Sequence, residues 1–176
     1  FILGIEKRSF RDQDPVNIEA SELMGAIHDA LEESGYRGHG LERYLVRLVF
    51  ILFADDTGIF EPRDILLDLM ESRTRDDGSD TGLWLHRLFE VLDTPEEERQ
   101  RNLDEDLTKF PYVNGDLFAD RLPVADFNAR MREAFIEACR FNWSEVSPAI
   151  FGSLFQSVMD ADERRKKGAH YTTEKN

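Results

Sequence analysis

An all-α fold is what this sequence predicts: an irregular bundle of about seven to nine helices, interrupted by one non-helical loop near residues 110–124. Apolar residues recur at three- and four-residue steps along most of the 176-residue chain. Caps and breakers separate these runs, and no run of alternating β-branched residues suggests a sheet. With 41% hydrophobic and 11% aromatic residues, the composition is that of an ordinary globular protein. A chain of this length buries roughly 70% of the surface it exposes when unfolded.

The elements follow in order. Ile18, Leu23, Ile27 and Leu31 predict a first helix over residues 17–35, with Asn17 as its N-cap and Gly35 as its left-handed stop. Leu41, Leu45, Leu48, Val49, Leu52 and Phe53 define a second, and Val46, Phe50 and Ile51 make it apolar nearly all round, hence central. Asp55, Asp56, Thr57 and Gly58 end it. Pro62 suits the first turn of a third helix carrying Ile65, Leu66, Leu69 and Met70, and the polar stretch from Arg73 to Gly82 is a loop. A fourth helix is built on Leu83, Trp84, Leu88, Val91 and Leu92. Thr94, Pro95 and three glutamates read as the cap and acidic first turn of a short exposed helix.

Pro111, Asn114, Gly115 and Pro123 then punctuate Tyr112, Val113, Leu117, Phe118 and Leu122. That pattern reads as a compact, partly buried loop with room for a short hairpin. Helical spacing resumes at Asp126, where Phe127, Met131, Phe135 and Ala138 share one face. Ser147 with Pro148 starts a further helix through Ile150, Phe151, Leu154, Phe155 and Val158.

A net charge of −14 argues against a chain that wraps nucleic acid over most of its surface. The longest greasy stretch, Leu45 to Ala54, is interrupted by Arg47, so no membrane span is expected. The single Cys139 cannot form an internal disulfide, which fits a reducing, cytoplasmic compartment.

The candidate chemistry is sparse. Asp56-Thr57-Gly58 spells the aspartic-protease triplet, but it follows an apolar helix and has no second copy, so it reads as a helix end. Gly38-His39-Gly40 is an inter-helix turn rather than a phosphate loop, and His28, His39 and His86 are surface or boundary residues. The acidic segments lack a calcium-loop pattern and read as solvated faces, and no metal site is expected. Cys139 reads as a small core residue, and Trp84 and Trp143 as core or interface. Arg164, Arg165, Lys166 and Lys167, the only dense basic run, either touch DNA phosphate or cap a short helix.

Several ordered motifs carry a resemblance over roughly residues 40 to 176. They are Phe53-Ala-Asp-Asp-Thr-Gly-Ile-Phe60, Pro111-Tyr-Val-Asn-Gly-Asp-Leu-Phe118, Phe141-Asn-Trp-Ser144, Ser147-Pro-Ala-Ile-Phe-Gly-Ser-Leu-Phe-Gln156 and Gly168-Ala-His-Tyr-Thr172. Together they resemble the helical spacer, or connector, domain of large single-chain adenine-specific DNA methyltransferases of type II restriction-modification and phage-defence systems. The resemblance implies that the parent protein transfers a methyl group from S-adenosylmethionine to the exocyclic amine of a flipped adenine. It implies that Tyr171 and Thr172 border the methionine end of the cofactor, although Thr173 stands where the family often has Pro. The family's glycine-rich cofactor motif and its Asn/Asp-Pro-Pro-Tyr/Phe motif do not occur in this sequence. The segment itself is therefore expected to be structural, with no catalytic residue.

The implied organisation is a lead-in over 1–16, a helical spacer over 17–167 and the start of a methyltransferase domain over 168–176. DNA, the adjoining methyltransferase domain and an upstream nuclease domain are the implied partners. A self-contained acidic helical interaction module is the alternative, and an acidic metal-binding protein a third.

Overall fold

The computed structural model describes residues 14–147, together with Ala149 and Gly152. Six α-helices and two 3-10 turns make up these residues, and no strand occurs among them. They are α1 (Pro15–Glu33), α2 (His39–Thr57), α3 (Ile65–Arg73), α4 (Thr81–Leu92), a turn at Glu96–Glu98, α5 (Glu105–Thr108), α6 (Ala129–Arg140) and a turn at Trp143–Glu145. Among the described residues the all-α class stands, with six helices where the pattern over the whole chain suggested seven to nine. Thr94 does not cap a helix: its hydroxyl donates to the Glu90 carbonyl, and the glutamates form only a 3-10 turn. The expected helix from Pro148, the basic run and the 168–172 motif lie outside the described residues, as does most of the 1–16 lead-in.

α2 is the axis of the bundle, packing against α1, α3, α6 and the Trp143–Glu145 turn. Leu41, Tyr44, Leu45, Leu48, Val49, Ile51, Leu52 and Ala54 are all buried along it, the consequence of a helix apolar on most of its circumference. α1 begins two residues earlier than the pattern implied. Asp14 is the N-cap, its carboxylate accepting from the Val16 N–H with Pro15 behind it, whereas Asn17 is buried in the first turn. Its end is as expected: Gly35 adopts φ +98, the Tyr36 N–H returns to the Leu31 carbonyl and the Gly35 N–H to Glu32.

Pro62 lies before α3 rather than in its first turn, following a cis Glu61–Pro62 bond, and Asp64 at φ +70 leads into the helix. In α4 the buried face is Thr81, Leu85, Leu88, Phe89 and Leu92, while Leu83, grouped with the core by spacing, is 60% exposed. α5 was not legible as apolar periodicity. It is a single turn capped by Asp104, which accepts from the Asp106 N–H. No hairpin forms over 110–124; the segment is irregular, with Phe110 and Phe118 buried, Leu122 half-buried and Tyr112 exposed. α6 carries the predicted buried face of Met131, Phe135 and Ala138, and Asn128 caps it through the Met131 N–H at 2.9 Å.

Two glycines set how closely the returning chain approaches α4. A Cβ on Gly82 would sit 1.7 Å from the Ala125 carbonyl oxygen, and one on Gly78, already at φ +76, would sit 2.2 Å from that of Asn128. Backbone on backbone leaves nothing flexible to move aside. Gly82→Ala is therefore expected to cost ~3 kcal/mol in urea unfolding, whereas Gly25→Ala, with open space around it in α1, gains up to ~1 kcal/mol from helix propensity. Equal effects of the two substitutions would disprove the close-approach argument.

Candidate functional site

Of the polar groups that sequence reading singled out, Asp55, Asp56 and Thr57 lie together at the C-terminal end of α2. Asp55 and Asp56 end an apolar helix whose burial carries them into the bundle. The buried Asp55 carboxylate accepts the N–H of Leu66 at 2.9 Å and of Leu67 at 3.3 Å, while its backbone carbonyl accepts from Asp64. It thus satisfies the first-turn donors of α3 from another helix, where Asp64 makes no side-chain cap. Asp56 turns the other way, accepting the Ser144 N–H at 2.8 Å and facing Arg63 at 3.4 Å. Thr57 donates to the Phe53 carbonyl and Gly58 ends α2 at φ +87. The triplet is a helix end, as the sequence indicated, and both acids are structural caps.

Burial pushes the Asp55 carboxyl up to about 6, against the two backbone hydrogen bonds and with Asp64 and Asp68 adding to the rise.

Eight residues earlier, Arg47 is buried although charged. Its Nε donates to the Leu117 carbonyl at 2.8 Å and its Nη2 to that of Asp120 at 2.6 Å. The guanidinium carbon lies 5.4 Å from the centroid of Phe89 and 5.6 Å from that of Phe118. Desolvation lowers its pKa, opposed chiefly by Asp120. Arg43 pairs with the Asp120 carboxylate, and the Tyr36 hydroxyl donates to the Pro123 carbonyl at 2.9 Å. Residues 117–123 are thereby strapped onto α2 and the turn that precedes it. Beneath the strap a cavity of about 340 Å³ is lined by Arg47, Phe89, Glu90, Asp93, Phe118 and Arg121 among others.

Two further arginines do similar work. Arg132, buried on α6, donates to the Thr74 hydroxyl at 2.8 Å and reaches the Met70 carbonyl, holding the end of α3. Arg73 lies 4.9 Å over the Trp84 ring and pairs with Asp104 and Asp106. Trp84 and Asp104, its partners, line a second cavity of about 350 Å³ together with Leu83, Leu103 and Leu107 among others.

The remaining candidates fall as follows. His28, read as surface or boundary, is buried, with Nδ1 3.1 Å from Asp29. Gly38 at φ +83 makes the expected turn into α2. Cys139 is buried, and burial raises its thiol pKa well above the ordinary value, so it behaves as a core residue. Trp143 is core, its indole donating to the Ala138 carbonyl at 2.8 Å; Trp84 is half-buried. Among the described residues no group of three His, Cys, Asp or Glu side chains converges as a metal site. No helix among them is long and apolar enough to cross a membrane. Tyr171, Thr172 and the run Arg164 to Lys167 lie outside the described residues. Arg47, Arg73 and Arg132 are what sequence reading missed. The available signal for Arg47 was a charge inside the longest apolar stretch.

Comparisons with known proteins agree with this geometry. Residues 39–118 match the family described as MmeI, helicase spacer domain. DNA methyltransferase A of Bacillus subtilis (strain 168) is 37% identical over 174 residues, spanning 97% of this chain and 19% of that protein. The solved structure of the type IIL restriction-modification enzyme MmeI in complex with DNA superposes with a TM-score of 0.77 at 55% identity, covering 86% of this chain and 20% of that one. The chain thus spans about a fifth of the length of these relatives.

Two predictions follow from the ties. The Asp55 carboxyl holds its proton more tightly folded than unfolded, so its contribution to stability is fully present below about pH 4 and is lost as pH rises through about 6. Asp55→Asn should flatten the decline in stability between those values, and an unchanged pH profile would refute the assignment. Arg47→Ala should lose ~3 kcal/mol in chemical denaturation, and Arg47→Lys should recover only part of it, because an ammonium cannot reach two diverging carbonyls as a planar fork does.

Proposed function

We infer that this chain, a member of the MmeI helicase spacer family, acts as a rigid helical connector in a larger protein that transfers a methyl group from S-adenosylmethionine to N6 of adenine in DNA, within a restriction-modification system. The spacer role is carried by one observation. The two sequence signatures, residues 53–60 and 111–118, are wired into the bundle by Asp55, Asp56 and Arg47, so the residues that look chemical are engaged with backbone N–H and carbonyl groups. A polar side chain whose capacity is spent on backbone holds geometry; it does not transfer protons or groups.

On this reading residues 17–167 are the spacer, 1–16 lead into it and 168–176 begin the methyltransferase domain. S-adenosylmethionine supplies the methyl group to the longer protein, and within this chain Tyr171 and Thr172 are the contacts to it. Arg164, Arg165, Lys166 and Lys167 contribute phosphate contacts, the local basic exception on an acidic chain. The acidic remainder, at a net −14, discourages unguided DNA contact and leaves recognition to other domains.

The test compares the 176-residue chain with the protein encoded by its full reading frame. The chain alone should show no S-adenosylmethionine uptake in calorimetry, whereas the longer protein should methylate adenine. Tyr171→Ala in the longer protein should raise KM for S-adenosylmethionine roughly tenfold, the loss of about 1.4 kcal/mol of cofactor binding. Stoichiometric cofactor binding by the chain alone, or a reading frame without methyltransferase activity, would overturn the assignment in favour of a free-standing interaction module.

A further inference from the structure

We propose that the pair Asn114 and Gly115 is a site of spontaneous deamidation, and that the isoaspartate it yields slackens the strap that Arg47 holds. The sequence contains one Asn-Gly pair. It falls between two pins: the Val113 N–H donates to the Leu92 carbonyl at 2.8 Å, and the Leu117 carbonyl accepts from Arg47 Nε at 2.8 Å. Between them Asn114, Gly115 and Asp116 are exposed, and their N–H groups have no hydrogen-bond acceptor among the described residues. Gly115 sits at φ +143 with nothing near the Cβ it lacks, so its backbone is free to turn toward the side chain before it. The Tyr112 hydroxyl reaches Asn114 Oδ1 only at 3.5 Å, too far to hold that side chain.

The chemistry needs water alone. The Gly115 nitrogen gives its proton to solvent and attacks Asn114 Cγ. A Cγ–N bond forms, the Cγ–Nδ2 bond breaks, and Nδ2 leaves as ammonia with a proton taken back from solvent. Water then opens the succinimide ring. Cleavage of the new Cγ–N bond gives aspartate; cleavage at the main-chain carbonyl gives isoaspartate, whose backbone runs through Cγ and is one methylene longer between the two pins. A related pair, Asp77 and Gly78, shows the same ring closure blocked. The Gly78 N–H donates to the Arg75 carbonyl at 2.9 Å, Asp77 Oδ1 accepts the Ser79 N–H at 2.9 Å, and Gly78 lies directly against the Asn128 backbone. Its nitrogen cannot swing toward the preceding side chain until those contacts open.

The 176-residue chain, aged at mildly alkaline pH, should gain aspartate and isoaspartate at residue 114 in peptide mass mapping, while Asn102 and Asn128 stay intact. Asp77→Asn places a second Asn-Gly pair in the held setting. In the folded protein it should react roughly tenfold more slowly than Asn114, because two hydrogen bonds must open first, and in urea the two should react alike. The isoaspartate form should melt ~3 °C lower than the unaged chain. Asn114→Asp, which adds the charge without the methylene, should melt with the unaged chain. An unmodified Asn114 in the folded protein, or equal folded-state rates at the two pairs, would overturn the site. Equal Tm values for the isoaspartate form and Asn114→Asp would overturn the slackening.

Discussion

The bundle depends on two adjacent carboxylates at the end of one helix. Asp55 and Asp56 leave α2 in different directions and each binds backbone N–H groups of a separate element, α3 in one case and the Trp143–Glu145 turn in the other. Helix N-termini carry unsatisfied donors and a positive end of the macrodipole, so a buried acid from elsewhere satisfies both at once. Because the acids belong to α2 and the donors to its neighbours, these caps fix inter-element geometry as well as helix ends. The cost is a buried charge, visible in the raised Asp55 carboxyl.

Arg47 applies the same logic with the opposite sign. A guanidinium buried in an apolar helix is unfavourable unless its donors are used, and here two of them hold the carbonyls of an irregular segment that has no ladder of its own. Packing between Phe89 and Phe118 covers the planar faces that hydrogen bonding leaves over. The segment is therefore ordered by a side chain of α2 rather than by its own backbone. Arg132 repeats the device at the end of α3.

These ties suit a connector. Hydrophobic burial alone is non-directional and tolerates small shifts of one helix on another, whereas hydrogen bonds from buried charges to named backbone groups allow one register. The glycine contacts at residues 78 and 82 add a steric limit, since backbone there touches backbone directly. A body built this way transmits position between whatever lies at its two ends.

Helical class, the central place of α2, its stop at Gly58, the end of α1 at Gly35 and the buried face of α6 were all legible in the sequence, because apolar periodicity and glycine conformations are local properties of the chain. The N-cap of α1 was misread as Asn17, whereas the structure places Asp14 there, ahead of Pro15. What the tertiary structure decided was the use of charge: that Asp55 caps a helix eleven residues on, that Asp56 caps a turn 88 residues on, and that Arg47 is a tether rather than an interruption. It also decided that Leu83 faces outward and that Gly82 is required by the chain crossing it. Such partnerships join residues far apart in sequence through burial and approach distance. Neither quantity exists until the helices have packed.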